Sequence, residues 1–218
     1  MNRAVFLDRD GVINEIAYFP ELGLLDSPLN VKQFRLLPRA AEAIMVLNRL
    51  DLKVIVVSNQ PAIAKGKMTM KAFEEIRLKM KKELERKGAH LDGEYYCFHH
   101  PSAKIAKYRT SCDCRKPRPG LFLKAAKDFA LDLKKSYAVG DSLTDIKAGK
   151  AVDCRTILIG SLKCDLCRLM ELEGVKPDHI VADLLDASKI IQKEINESVR
   201  PDLIISKAFR TSRSVKGE

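Results

Sequence analysis

Asp8 and Asp10 stand two residues apart in Asp8-Arg9-Asp10-Gly11, directly after the apolar run Ala4-Val5-Phe6-Leu7. Two carboxylates at that spacing suit phosphoryl transfer: the first can attack phosphorus and the second can carry a proton. Alternate residues of a strand face opposite sides. A chain that leaves the strand after Asp8 can nevertheless turn both carboxylates toward one crevice at the strand's carboxyl end, where open α/β sheets bind ligands. Ser58, Lys116 and Asp141 follow in the order such a crevice needs, each at a strand end or in a loop returning to the sheet. The Ser58 hydroxyl, with nearby backbone N–H groups, can hold phosphate oxygens, and Lys116 supplies a point charge that neutralises them. Asp141, in Gly140-Asp141-Ser142-Leu143-Thr144-Asp145, adds a carboxylate beside Asp8. Converging carboxylates repel one another unless a cation sits among them. Mg²⁺ is the natural choice, held by one or two carboxylates, substrate oxygens and water.

A second constellation is Cys97-Phe98-His99 followed, after twelve residues, by Cys112-Asp113-Cys114. Three thiols and an imidazole within reach make a tetrahedral Cys₃His site for Zn²⁺, closed and therefore structural. It would pin a loop at about 95–116 and fix the reach of Arg115 and Lys116, which follow at once. His100 is read as a bystander. Cys164-Asp165-Leu166-Cys167 is a lone CxxC, read as part of a helix with one thiol buried.

These residues must be positioned by strands alternating with helices. Val54-Ile55-Val56-Val57 reads as a second buried strand, ended by Ser58-Asn59-Gln60-Pro61. Ala40, Ala43, Ile44, Leu47 and Leu50 recur at helical spacing, with Pro38 suited to the first turn. Thr69 can cap a helix carrying Phe73, Ile76, Met80 and Leu84 on one face. A helix from Pro119 to about Ala130, strand Tyr137–Val139, a helix from about Ser142 to Ala151, strand Thr156–Ile159, strand His179–Val181 and a helix to about Asn196 complete the series. Residues 94–118 read as irregular and 15–37 as a long first loop, of a length that is usually functional. Strands alternating with helices imply parallel pairing with right-handed crossovers. The expected fold is α/β: a doubly wound, mainly parallel, Rossmann-like sheet with helices on both faces. No insertion is large enough for a cap domain. One domain is expected over 1–198, with a basic tail at 199–218.

The chain has 218 residues, is 46% hydrophobic and carries a net charge of +10. That charge by itself decides little: it reads first as a solvated basic surface, then as a fit to a small anionic substrate, and least as a nucleic-acid surface, since aromatic residues are only 6% and no stacking cluster stands near the site. No run approaches the roughly 20 apolar residues of a membrane helix. A strand beginning by residue 3 leaves no room for a signal peptide. A cytoplasmic monomer with reduced cysteines is the expectation.

The segments FLDRDGVIN, VVSNQ, CRKP and GDSLTD, which span residues 6–145, resemble the four motifs of the haloacid dehalogenase superfamily, in the family's order. The resemblance implies that Asp8 is the nucleophile and Asp10 the general acid/base, and that Ser58 and Lys116 bind the transferring phosphoryl group. It implies that Asp8, the Asp10 backbone carbonyl and Asp141 hold Mg²⁺. Within the superfamily, 92–101, 112–117 and 58–67 are closely similar to the D-glycero-D-manno-heptose 1,7-bisphosphate 7-phosphatases of nucleotide-activated heptose biosynthesis. That likeness implies a sugar bisphosphate substrate, with Arg115 orienting it and Asn59, Gln60 and Pro61 touching it. Arg9 and Ser142 join the implied substrate-binding set, Ser142 standing where a lysine often follows the metal-binding aspartate. The histidinol-phosphate phosphatases share the zinc loop, but with a shorter gap between His and Cys. Nucleic-acid 3′-phosphatases share related motifs, and the net charge and basic tail are their best support. The paired carboxylates speak against a non-catalytic binding protein.

Overall fold

The computed structural model describes residues 2–160 and 174–199. Cys164, Cys167 and the tail from residue 200 lie outside the described residues. Six strands form one parallel sheet in the order β5-β4-β1-β6-β7-β8, with β1 at Arg3–Leu7, β4 at Leu52–Asn59, β5 at Gly93–Cys97, β6 at Tyr137–Gly140, β7 at Arg155–Ile159 and β8 at His179–Val181. The helices are α1 (Ala40–Asn48), α2 (Met70–Glu85), α3 (Gly120–Phe129), α4 (Leu143–Lys150) and α5 (Leu184–Val199). Side-chain alternation along the strands sorts them into two layers. Val5, Leu7, Val54 and Val56 bury against α1, α2 and α5. Ala4, Phe6, Ile55 and Val57 bury against α3 and the Ala148–Val152 end of α4. The strands read as near-continuous apolar runs because both faces are covered.

The chain runs outward from β1 through β4 to β5, then returns to build β6, β7 and β8 on the other side. The order therefore reverses between β1 and β6, and the crevice beyond their carboxyl ends is where such sheets take ligands. Thr69 caps α2 as its position foretold, its hydroxyl accepting the Ala72 N–H at 3.1 Å.

Three local expectations change. Residues 93–97 form an edge strand, not irregular chain: 93–96 are only half-buried and Cys97 alone is buried, so the segment lacks the apolar run that marks the central strands. The first loop holds an antiparallel ribbon, β2 (Ala17–Phe19) with β3 (Leu24–Asp26), which pairs with no strand of the main sheet. Its three-residue strands are too short to show a period. Pro38 lies before α1 rather than in its first turn, because Arg39 turns the chain in the left-handed region at φ 64°. Segments 8–39 and 98–119 carry only this ribbon, short helical turns and loops, so among the described residues no cap domain covers the sheet edge. Among the described residues no helix is long and apolar enough to cross a membrane.

Asp178 fastens β8 to β7: its carboxylate accepts Thr156 N–H at 2.7 Å and Lys150 Nζ at 2.6 Å. Burial works to raise its pKa, but the Lys150 and Thr156 donors overcome this and hold it below 3.8. A depressed carboxylate contributes stability above its unfolded pKa and loses it as pH falls through the folded value. Asp178→Ala is expected to cost about 1 kcal/mol at neutral pH, the half-exposed ion pair being screened. Urea melts should show that deficit narrowing below the ordinary carboxylate range; a deficit independent of pH would refute the assignment.

Candidate active site

β1 ends at Leu7, and Asp8 follows with its N–H donated to Val139 O at 3.0 Å across the switch point. This brings the loops after β1 and β6 together. Ser58, the penultimate residue of β4, is buried, its hydroxyl accepting from Gln60 Nε2 at 3.2 Å and favouring the ionised form of Asp8. Lys116 arrives from the segment after the Cys/His loop. Asn59 clamps its backbone twice: Asn59 Nδ2 donates to Lys116 O at 3.0 Å and Lys116 N donates to Asn59 Oδ1 at 3.1 Å. The ammonium then reaches Asp8 Oδ1 at 3.1 Å, Val57 O at 2.7 Å and the Asp145 carboxylate. Its side chain is 2% exposed. Burial disfavours the charge, but Asp145 and Asp8 more than offset it and hold the Lys116 pKa above its ordinary value.

Asp141, just beyond β6, faces Asp8. Oxygens of Asp8, Asp141 and Asp145 all lie within 4.8 Å of one another. Burial, the Asp8 charge and the Asp145 charge push Asp141 up to about 7. Burial also raises Asp8 to about 6, against the pull of Lys116 and with the push of Asp145. Three hard oxygen donors crowded against their own repulsion could hold a divalent cation such as Mg²⁺, Asp145 being tied to Lys116 as well. Glycine makes room for it: Gly11 takes φ +78°, and a methyl group there would overlap the Asp141 carboxylate. Gly140 likewise lets Asp145 pack against the end of β6. The residues present fit a divalent cation.

Asp10 is held differently. Arg9 Nη2 contacts both of its oxygens at 3.1 Å, Asn14 Nδ2 donates at 2.9 Å, Gln60 Nε2 at 2.7 Å and Ser27 Oγ at 2.9 Å. Burial alone would raise its pKa; Arg9 and the three hydrogen bonds reverse that and hold it below the ordinary value.

Several residues expected at the substrate take other places. Arg9 is fully buried, salt-bridged to Asp10, bonded to Gln60 Oε1 at 2.9 Å and stacked over Phe73. With no exposed surface it orders Asp10, and its Nη1 has no hydrogen-bond partner among the described residues. Gln60 is also fully buried, shared between Arg9, Asp10 and Ser58. Asn59 spends its amide on Lys116. Ser142 caps α4, its hydroxyl donating to Asp145 Oδ2 at 2.6 Å. Pro61 and Arg115 remain half-buried, and Arg115 Nη1 is anchored on His99 O at 3.2 Å. Asp145 is the residue the sequence reading missed. Its signal is present in Ser142-x-x-Asp145, a capping-box spacing that sets Asp145 in the first turn of the helix beside Asp141.

The Cys/His loop closes as its spacing implied. Cys114 Sγ lies 3.3 Å from Cys97, 3.2 Å from Cys112 and 3.3 Å from His99 Nδ1, and Cys97 lies 3.7 Å from Cys112. These distances exclude a disulfide. They approach the edges, about 3.8 Å, of a tetrahedron with Zn–S bonds near 2.3 Å. The four residues could hold zinc. Cys154 is buried in the same α3-side core but is not one of the four gathered ligands.

A parallel sheet with a carboxylate and lysine site at its switch point defines the class, a haloacid dehalogenase-type hydrolase, and residues 113–187 match the family model described as "HAD-hyrolase-like". The D-glycero-beta-D-manno-heptose-1,7-bisphosphate 7-phosphatase of Escherichia coli (strain K12) is 38% identical over 154 residues, 70% of this chain and 76% of that one. The enzyme of the same name from Pasteurella multocida is 32% identical over 194 residues, 88% of this chain and 98% of that one. The crystal structure of D,D-heptose 1,7-bisphosphate phosphatase from B. bronchiseptica, complexed with magnesium and phosphate, matches with a TM-score of 0.72 at 27% identity, over 88% and 99% of the two chains. This chain belongs to the haloacid dehalogenase superfamily, in the phosphatase family of these relatives, and is a phosphoric monoester hydrolase.

The loop's metal capacity is directly measurable. Elemental analysis of the purified protein is expected to find one zinc per chain. Cys112→Ser is expected to lose it and to lower Tm by several degrees, because binding energy to such a site is folding energy. An unaltered melting temperature and metal content would remove the zinc assignment.

Proposed function

We propose that this phosphatase removes the 7-phosphate of D-glycero-D-manno-heptose 1,7-bisphosphate through an aspartyl-phosphate intermediate, in nucleotide-activated heptose biosynthesis. The observation that carries the chemistry is the convergence of Asp8, Lys116, Asp141 and Asp145 at the switch point, with Asp10 caged alongside. The substrate rests on the likeness to the named relatives and on Arg115 at the mouth, a cation suited to the distal phosphate.

In this reading an Asp8 carboxylate oxygen attacks phosphorus while the P–O bond to the sugar breaks. Asp10 gives its proton to the departing sugar oxygen. Asp10 then takes a proton from water, whose oxygen attacks the aspartyl phosphate; the bond to Asp8 breaks and inorganic phosphate leaves. Ser58 and Lys116 hold the phosphoryl oxygens throughout, so the protein contributes positioning and charge neutralisation. Mg²⁺, held by Asp8, the Asp10 carbonyl and Asp141, would neutralise charge on the phosphoryl group. Asp145 holds the Lys116 ammonium together with Asp8. Zinc at Cys97, His99, Cys112 and Cys114 serves structure alone. Free thiols at those positions fit the cytoplasm.

Phosphate release, with Mg²⁺, from both anomers of the heptose bisphosphate, histidinol phosphate, fructose 1,6-bisphosphate and a 3′-phosphorylated oligonucleotide tests the substrate. One heptose anomer is expected to lead in kcat/KM by about a hundredfold, or 2.7 kcal/mol of transition-state discrimination. Good turnover of the oligonucleotide with weak activity on the sugars would overturn the reading. Asp8→Asn is expected to keep the fold and retain less than about 1% of activity; more would remove Asp8 as the nucleophile.

A further inference from the structure

The cage around Asp10 contains one member unlike the rest. Arg9, Asn14 and Gln60 are fully buried and belong to the β1 turn and the end of β4. Ser27 belongs to neither. It follows β3 at the foot of the ribbon, half-buried, and its hydroxyl reaches Asp10 Oδ2 across 17 residues of sequence. The ribbon's foot is set by two further contacts: Ser27 N donates to Asp26 Oδ1 at 2.9 Å, and Lys67 Nζ holds Asp26 Oδ2 at 2.6 Å. Lys67 lies in the turn that follows Ser58, so ribbon, β4 loop and Asp10 are joined in one chain of contacts.

The chemistry of the four partners differs too. Asp10 Oδ1 accepts from Arg9 and Asn14, and Oδ2 accepts from Arg9, Gln60 and Ser27. The nitrogens of Arg9, Asn14 and Gln60 that make these bonds are donors only, whereas a hydroxyl both donates and accepts. Of the Oδ2 partners, Arg9 and Gln60 are fixed in the buried core, and Ser27 alone is carried by the ribbon, so the ribbon's foot reaches the Asp10 carboxylate directly.

We propose that Ser27 is a positioning residue for Asp10, through which the 17–26 ribbon orients the acid/base toward the departing oxygen. This rests on the reading of Asp10 as general acid. It predicts a defect that depends on how much protonation the leaving group needs. Phenoxide leaves poorly without a proton; p-nitrophenoxide leaves well.

The test compares kcat/KM, which reports steps up to leaving-group departure, for phenyl phosphate and p-nitrophenyl phosphate. Ser27→Ala is expected to lose about tenfold on phenyl phosphate and less than about twofold on p-nitrophenyl phosphate. Ser27→Thr, which keeps the hydroxyl, is expected to recover most of that loss. An equal fall on both esters, or none on either, would overturn the proposal, as would a threonine variant no better than alanine. Neither ester contains a sugar, so failure of the heptose assignment would leave this comparison intact, and success of that assignment would not rescue it.

Discussion

Lys116 Nζ lies between the carboxylates of Asp8 and Asp145 and donates to the Val57 carbonyl, so one buried ammonium joins the ends of β1 and β4 to the first turn of α4. A charge so enclosed is costly unless fully paired. Here each partner depends on the others. Without Lys116, Asp8, Asp141 and Asp145 would face one another uncompensated; without the carboxylates, the ammonium would have no reason to enter the sheet edge. The bidentate clamp from Asn59 turns this mutual need into a fixed geometry by holding the lysine backbone. The same charges that bring the site together leave Asp8 and Asp141 with raised proton affinity, a mismatch that a divalent cation resolves.

Asp10 shows the opposite solution a few ångströms away. Its charge is satisfied inside the protein by Arg9 and three hydrogen bonds, so it has no comparable call on a metal through its side chain. The two aspartates of one short motif thus receive opposite environments, one driven up by burial and like charge, the other driven down by donors. These directions belong to the site without its cation: a divalent ion beside Asp8 would lower its proton affinity and keep it a carboxylate, while Asp10 must gain its proton against the pull of Arg9.

The Cys/His cluster and the ribbon act on this pair from outside the sheet. Cys97 ends β5, and Cys112 and Cys114 immediately precede Arg115 and Lys116, so closing the cluster sets where the lysine segment begins its return. His99 does the same for Arg115 through its carbonyl. Among the described residues no cap domain lies over the sheet edge, and these two short segments flank the site instead.

Much of this was legible in the residues alone. Apolar runs at strand length and helical spacings between them specify a parallel sheet covered on both faces, since both signals are local and strong. Asp8, Ser58, Lys116, Asp141 and the four zinc-type ligands were readable because each stands at a strand end or at a ligand spacing set by short-range geometry. The edge strand β5 was not, because a half-buried strand shows no apolar run. Nor were the hydrogen-bond partners of Arg9, Gln60 and Ser142, which bond to Asp10, to one another and to the first turn of α4. Which side a polar group faces depends on partners far along the chain: Asp10 on Ser27, Arg9 on Gln60 and Phe73, Lys116 on Asp145. The sequence by itself determined which groups can do chemistry and the sheet that gathers them. Only the tertiary structure decided which of them are buried as supports, because burial and pairing are set by neighbours that sequence spacing does not record.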